Sequence, residues 1–270
     1  MDSAIGASSC EDREAKVEGE AMKGPRGEIA GFVHSTDAGS AVDGPGLRFL
    51  VFLAGCAFRC VYCHNPDTWK QHPSQRRTVD DLVVEIGKYA PWLKRVGGVT
   101  VSGGEPLQQA SFVEALFREL KERWGLHTAI ETQGYLMKRL PDSWFEPLDL
   151  VLLDIKHINP EGYRAITGGF ALKPTLDAAE RLGRMGKDIW IRHVVVPGST
   201  DTMETARELA DFVAAIPTVR RVELLPFHQL GREKWRELGI PYSMENVQPP
   251  DAELVERLRE PFRALGIETC

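Results

Sequence analysis

With 270 residues, 43% of them hydrophobic, the chain is long enough for one large α/β domain or two small ones. Its 33 basic against 39 acidic side chains give a net charge of −6, which excludes the basic footprint of a nucleic-acid binder. No apolar run reaches the length of a membrane span, so no membrane partner is expected.

Residues 1–27 are polar, acidic and without period, and read as a disordered extension before a single domain over residues 28–270. The opening "MDSAIGASSCEDREAK" has no basic stretch followed by an apolar one, so it does not read as a signal peptide. A cytoplasmic location follows as the expectation, and there thiols stay reduced. From "GEIAGFVHST" onward the pattern becomes globular. Six apolar runs follow in order: "LRFLVFLAG", "GGVTVSGG", "LHTAIETQG", "LDLVLLDIK", "KDIWIRHVVVPG" and "RRVELLPFH". Each is nearly continuous and rich in branched residues, as parallel strands buried on both faces require.

Helical stretches lie between them. "TVDDLVVEIGKYAPWL" predicts one helix capped by Thr78, with Asp80 and Asp81 in its first turn. "SFVEALFRELKERWG" spaces apolar residues three and four apart and stops at Gly125. "PTLDAAERLGRMG", "TDTMETARELADFVAAI" and "DAELVERLREPFRALG" complete the set. Strand alternating with helix six times predicts an α/β fold of parallel βα units. Six units are too few to close an eight-stranded barrel, so a partial, open (β/α)6 barrel is expected.

In such barrels the chemistry sits at the C-terminal ends of the strands. Here those ends carry the cysteine loop, "SGGE" at 102–105, Glu131 and Thr132, Asp154 with Lys156, Arg192 with His193, and His228. A purely structural protein has little reason to load every strand with polar residues at one end. The loop "LAGCAFRCVYCHNPDTW" places Cys56, Cys60 and Cys63 within eight residues, whereas Cys10 and Cys270 stand alone near the two ends of the sequence. In a reduced compartment, clustered cysteines are metal ligands before they are disulfide partners. Three thiolates at this spacing suit one iron–sulfur cluster, with one iron left without a protein thiolate. A zinc site of three cysteines and His64 is the alternative. His64 adjoins Cys63 directly, which makes shared tetrahedral coordination awkward.

The spacing C-x-x-x-C-x-x-C with an aromatic, Tyr62, before the last cysteine resembles the radical S-adenosylmethionine (SAM) superfamily. Together "VDGPGLRF", "CVYCHNPDTW", "SGGEPLQQ", "VLLDIK", "WIRHVVVPG" and "ELLPFHQLGREKW" are similar to the family of pyruvate formate-lyase activating enzymes, from about residue 28 to the C-terminus. The resemblance implies a [4Fe–4S] cluster on Cys56, Cys60 and Cys63, SAM bound at the open iron, and reductive SAM cleavage that yields a 5′-deoxyadenosyl radical. It implies hydrogen abstraction from a glycine of a glycyl radical enzyme, pyruvate formate-lyase, with a reduced flavodoxin-like electron donor. Another glycyl radical enzyme or a small molecule is the alternative substrate.

The same resemblance assigns Tyr62, His64, Gly104, Asp154, Ile155, Lys156 and His228 to the SAM pocket. Tyr62 is read as packing on adenine, and Gly103 and Gly104 as letting backbone approach the methionine end. Glu131, Thr132 and Asp154 are the implied oxygen ligands of a Na⁺ or K⁺ ion. Relatives have the shorter Asp where this chain has Glu131, so ion choice and affinity are open. Asp43, in the rigid "DGPG" loop, and Arg192 are implied to meet the substrate. Turn capping is the other reading of Asp43.

Overall fold

The computed structural model describes residues 25–270. Of the disordered extension expected over residues 1–27, residues 1–24 lie outside the described residues. Arg26–Glu28 form a 3-10 turn, and the Arg26 guanidinium holds the Glu122 carboxylate at 2.7 and 2.9 Å.

The chain enters through β1 (Ala30–Ser40) and turns back antiparallel into β2 (Leu47–Leu53). The short β3 (Arg76–Thr78) pairs with the outer side of β1. Parallel strands then follow from β2: β4 (Gly97–Gly103), β5 (His127–Thr132), β6 (Leu150–Asp154), β7 (Asp188–Val195) and β8 (Val219–Pro226). The order is β3-β1-β2-β4-β5-β6-β7-β8, and the sheet stays open between β3 and β8. The six parallel strands are the six apolar runs of the sequence. Every residue of β6 is buried, as a central parallel strand covered on both faces must be. β1 carries Ser, Thr, Asp and Gly along its exposed half and gave no comparable signal.

Two helices stand where one was expected after β3. Thr78 caps α1 (Val79–Gly87): its hydroxyl accepts from Asp81 N–H at 3.1 Å, and the Asp81 carboxylate accepts from Thr78 N–H at 2.8 Å. The helix stops before Pro91, which lacks an N–H and sits in the first turn of α2 (Ala90–Val96). α3 (Ala110–Trp124) ends as predicted at Gly125, whose φ of 60° is left-handed. α4 (Pro160–Thr167), capped by Asn159, was not anticipated. α5 (Lys173–Arg184) and α6 (Met203–Ala214) match their patterns, and α7 (Arg232–Glu237) is a short addition after β8. The last pattern again splits at a proline, Pro261, into α8 (Ala252–Leu258) and α9 (Glu260–Ala264).

The faces of the strands turned toward the helices form one continuous core that includes Val51, Val99, Ile130, Val151 and Ile191, sealed by helix residues such as Leu82, Leu116 and Leu182. Near the N-terminal ends of β2, β4 and β5 lies Arg48, fully buried. It donates to the Thr100 hydroxyl (2.9 Å) and the Val99 carbonyl (2.6 Å), and its guanidinium meets His127 Nδ1 at 3.1 Å. Burial lowers its pKa to about 10. A buried cation is tolerable because its donors are satisfied. Thr100 in turn donates to the Asp43 carbonyl at 2.7 Å, which ties this plug to the loop between β1 and β2.

Candidate active site

The loop after β2 carries the three cysteines. Its backbone is held from outside: Arg59 N–H donates to Thr167 O at 3.1 Å and Val61 N–H to Ile166 O at 3.0 Å, both at the end of α4. Gly55 N–H donates to Thr68 O at 2.6 Å and closes the loop on itself. Phe58 stacks on Phe170 with centroids 4.1 Å apart and anchors the middle of the loop in the core. Cys56 and Cys60 are each 8% exposed, Cys63 is half-buried, and all three are free thiols. Burial pushes the Cys56 thiol up to about 12 and raises Cys60 and Cys63 as well. Such thiols ionise when a metal supplies the compensating charge.

The thiols open into a cavity of about 470 Å³ at the C-terminal ends of the strands, within the usual range of about 300–1,000 Å³ for cofactor sites. Of the residues to which the resemblance gives a role, all but one line it: Asp43, Tyr62, His64, Gly103, Gly104, Glu131, Thr132, Asp154, Lys156, Arg192 and His228 stand with the three cysteines. Ile155 is the exception. It is buried, its N–H donates to Arg192 O at 3.0 Å, and its carbonyl accepts from His193 Nδ1–H at 2.7 Å.

Several lining groups have definite partners. Lys156 Nζ meets Asp154 Oδ1 at 2.9 Å and lies 5.9 Å from the Tyr62 ring centre. Burial opposes the Lys156 charge, yet Asp154, together with Tyr62 and Cys60, more than offsets it, and the pKa is raised. Burial raises Asp154, with Lys156 opposing. His64 stacks on His228, centroids 3.9 Å apart and planes 22° apart, and its Nε2–H donates to the His228 carbonyl at 3.2 Å. Burial, with His228 beside it, lowers His64 to about 4, so the ring is neutral.

Gly103 and Gly104 have a second reason to be glycine. A Cβ on Gly103 would come within 2.3 Å of the Leu53 backbone, and one on Gly104 within 2.3 Å of the Gly55 carbonyl. The Glu131 carboxylate is engaged by Arg192 and by the Ser102 hydroxyl. The Thr132 hydroxyl donates to Glu105 Oε1 at 2.6 Å. The three expected oxygen ligands of a monovalent ion therefore line one cavity with their polar atoms already paired within the protein.

Four residues received no role from the sequence. Glu105, the last residue of "SGGE", accepts from Thr132, from Gln133 N–H at 3.0 Å and from Leu107 N–H at 3.0 Å; burial raises its pKa to about 7 against those bonds. Gln133 Nε2–H donates to Cys56 Sγ at 3.7 Å. Ser102 meets Glu131. Glu223 holds Arg192 Nε at 2.8 Å. For Ser102 and Gln133 the signal was position, near a strand end or one residue beyond it; Glu105 lies two residues past β4 and Glu223 within β8.

The donor set suits an iron–sulfur cluster. Three free thiols on one loop face one cavity, and Tyr62 OH and Gln133 Oε1 are buried there without a partner among the described residues. Among the described residues, no three His, Cys, Asp or Glu side chains gather closely enough for a single metal ion, which disfavours the zinc alternative. A cluster instead spreads its thiolates over separate irons.

The pattern of the radical SAM superfamily matches residues 50–213. The chain is 47% identical over 239 residues to the pyruvate formate-lyase-activating enzyme of Staphylococcus epidermidis, covering 84% of this chain and 93% of that one. It is 46% identical to the enzyme of the same name from Staphylococcus aureus, with the same coverage. A radical SAM methyltransferase from Sphaerobacter thermophilus shares the fold, with a TM-score of 0.60 at 17% identity over 89% of this chain and 76% of that one. The chain belongs to the radical SAM superfamily and, within it, to the pyruvate formate-lyase-activating enzymes.

Proposed function

We propose that the chain uses Cys56, Cys60 and Cys63 to hold a [4Fe–4S] cluster, binds SAM beside it, and generates the glycyl radical of pyruvate formate-lyase. The observation that carries this reading is that three free thiols and the polar ends of the parallel strands line one cavity. When bound, the cluster supplies the electron that cleaves SAM and so provides the agent that removes a hydrogen atom from glycine. The protein binds, orients and excludes water.

Tyr62, His64, Gly104, Asp154, Lys156 and His228 form the SAM-facing wall. Lys156, kept cationic by Asp154, suits a carboxylate ligand, and the neutral His64–His228 stack offers a flat surface to a purine. Asp43 and Arg192 sit where a glycine-bearing loop enters. A Na⁺ or K⁺ ion on Glu131, Thr132 and Asp154 would have to share Glu131 with Arg192. The electron donor is a reduced flavodoxin-like protein and the location is the cytoplasm; among the described residues no helix is long and apolar enough to cross a membrane.

The test is anaerobic incubation of the reconstituted, reduced protein with SAM and pyruvate formate-lyase, read by electron paramagnetic resonance (EPR). A glycyl radical on the partner is the expected result. SAM cleavage with no radical on this partner would redirect the reading to another glycyl radical enzyme or to a small molecule.

A further inference from the structure

The cysteine loop is held on two sides by segments remote in sequence. The end of α4 ties its first half, at Arg59 and Val61. Its second half, residues 63–69, meets the segment that follows the last strand. The Trp235 indole N–H donates to the Cys63 carbonyl at 2.8 Å across 172 residues of sequence. The Lys234 ammonium bridges Asn65 Oδ1 and Asp67 Oδ2, both at 2.9 Å. Gly231 lies so close to His64 that a Cβ there would come within 2.7 Å of the His64 Cα. The Trp235 ring meets Trp69 edge-on, centroids 5.1 Å apart. Five residues of the 63–69 turn are thus engaged from one short stretch.

We propose that Gly231–Trp235 is a clamp that positions the third thiolate, Cys63, and with it the neighbouring His64. The proposal rests on the reading that Cys63 holds iron. Cys63 is the most exposed of the three cysteines, and locally its backbone is fixed by one tight turn, Cys63 N–H to Cys60 O at 3.1 Å. A ligand so placed depends on outside contacts for the direction of its Cβ. The indole N–H fixes the plane of the Cys63–His64 peptide, and the Lys234 bridge stops the following residues from swinging outward. Gly231 leaves room for the His64 backbone to sit where its ring can stack on His228. Groups that orient ligands in this way commonly change metal affinity 10–100-fold when removed, without touching the metal themselves.

The experiment compares the anaerobically reconstituted parent with Trp235→Phe, which keeps the ring and removes the N–H, and with Lys234→Met and Lys234→Arg. Cys63→Ser tests the underlying reading. Phe262→Leu, a fully buried substitution in α9, serves as a control for lost stability. Three quantities are measured: the melting temperature, the rate of iron loss to an excess iron(II) chelator, and the change in the reduced-cluster EPR spectrum on adding SAM. Trp235→Phe and Lys234→Met should lose iron about tenfold faster and show a diminished SAM-dependent spectral change. Lys234→Arg should stay near the parent, and so should the control even when it melts as early as they do. Parental iron loss in both clamp variants would overturn the clamp, as would losses no faster than the control at equal melting temperature. If Trp235→Phe does not fold, Lys234→Met against Lys234→Arg decides. Full iron in Cys63→Ser would overturn the ligand reading instead.

Discussion

Arg192, on β7, reaches past β6 and closes its guanidinium on the carboxylate of Glu131 near the end of β5. The same guanidinium holds Glu223 at 2.8 Å and lies 3.6 Å from Asp43. Burial alone would raise Glu131; Arg192 and the Ser102 hydroxyl hold it below the usual carboxylate range. One arginine therefore fixes acids from two strands and the loop over the cavity. Removing one partner of such a buried set leaves the others mispaired.

Glu131→Gln should weaken SAM binding about tenfold, since a hydrogen bond to a charged group contributes about 1.5–3 kcal/mol. It should also flatten any difference between Na⁺, K⁺ and choline salts. Equilibrium binding of SAM in the three salts measures both. Unchanged affinity and unchanged salt response would leave Glu131 with an architectural part alone.

Iron should depend on Cys56, Cys60 and Cys63 and on no other cysteine. Cys60→Ser is expected to abolish the visible absorbance of the reconstituted cluster, while Cys10→Ser and Cys270→Ser keep full iron content. Cys10 lies outside the described residues. Cys270 lies beside Glu223, with Sγ 3.9 Å from its Oε1, and does not line the cavity. Equal iron loss in Cys10→Ser and Cys60→Ser would refute the three-ligand assignment.

Asp43 should matter more to the protein substrate than to SAM. Its carboxylate accepts from the Ser40 hydroxyl, and its carbonyl from Thr100 at 2.7 Å, so the loop is rigid before any partner arrives. Reacting atoms must approach within about 3–3.5 Å for transfer, which requires a firm seat for the incoming glycine loop. Asp43→Asn should lower the rate of glycyl radical formation several-fold more than the rate of 5′-deoxyadenosine release without partner. Equal losses would move Asp43 to the SAM wall, and no loss would return it to turn capping.

Acid should destabilise the fold through His193. Burial lowers its pKa to about 4, and its Nδ1–H is given to the Ile155 carbonyl. The folded-state pKa lies below the unfolded value of about 6.5, so below that pH the unfolded chain takes up a proton that the folded chain refuses. This stability is present above about pH 6.5 and is lost as pH falls toward 4. Between pH 7 and 5 the loss is roughly 2 kcal/mol by linkage. His193→Phe should therefore unfold with a shallower pH dependence than the parent in denaturant titrations. Identical slopes would assign the acid lability to other groups.

The parallel strands were legible because burial on both faces leaves a continuous apolar run, and the cysteine loop because its spacing is chemical rather than structural. β1 and β3 were not. One is half exposed and the other is three residues long, so neither repeats a pattern. The split helices were marked by Pro91 and Pro261, each inside an otherwise helical period. At the site, Glu105, Gln133 and Glu223 are single polar residues whose meaning lies in what they touch, and no periodicity encodes that. The partners of Arg192 come from three separate parts of the chain and meet only in the folded state.

An open sheet has rims with unpaired backbone groups, and these are templates for another copy of the chain. At β8 the last residues prevent this: Val222 N–H donates to Glu268 O at 2.9 Å and Leu224 N–H to Cys270 O at 3.1 Å. A chain ending at Ile267 would expose the rim of the strand that carries Glu223 and leads to His228. It should self-associate as its concentration rises, visible as a shift to larger species in light scattering. The final three residues thus act as a selvedge, keeping the woven border of the sheet from fraying into its neighbours.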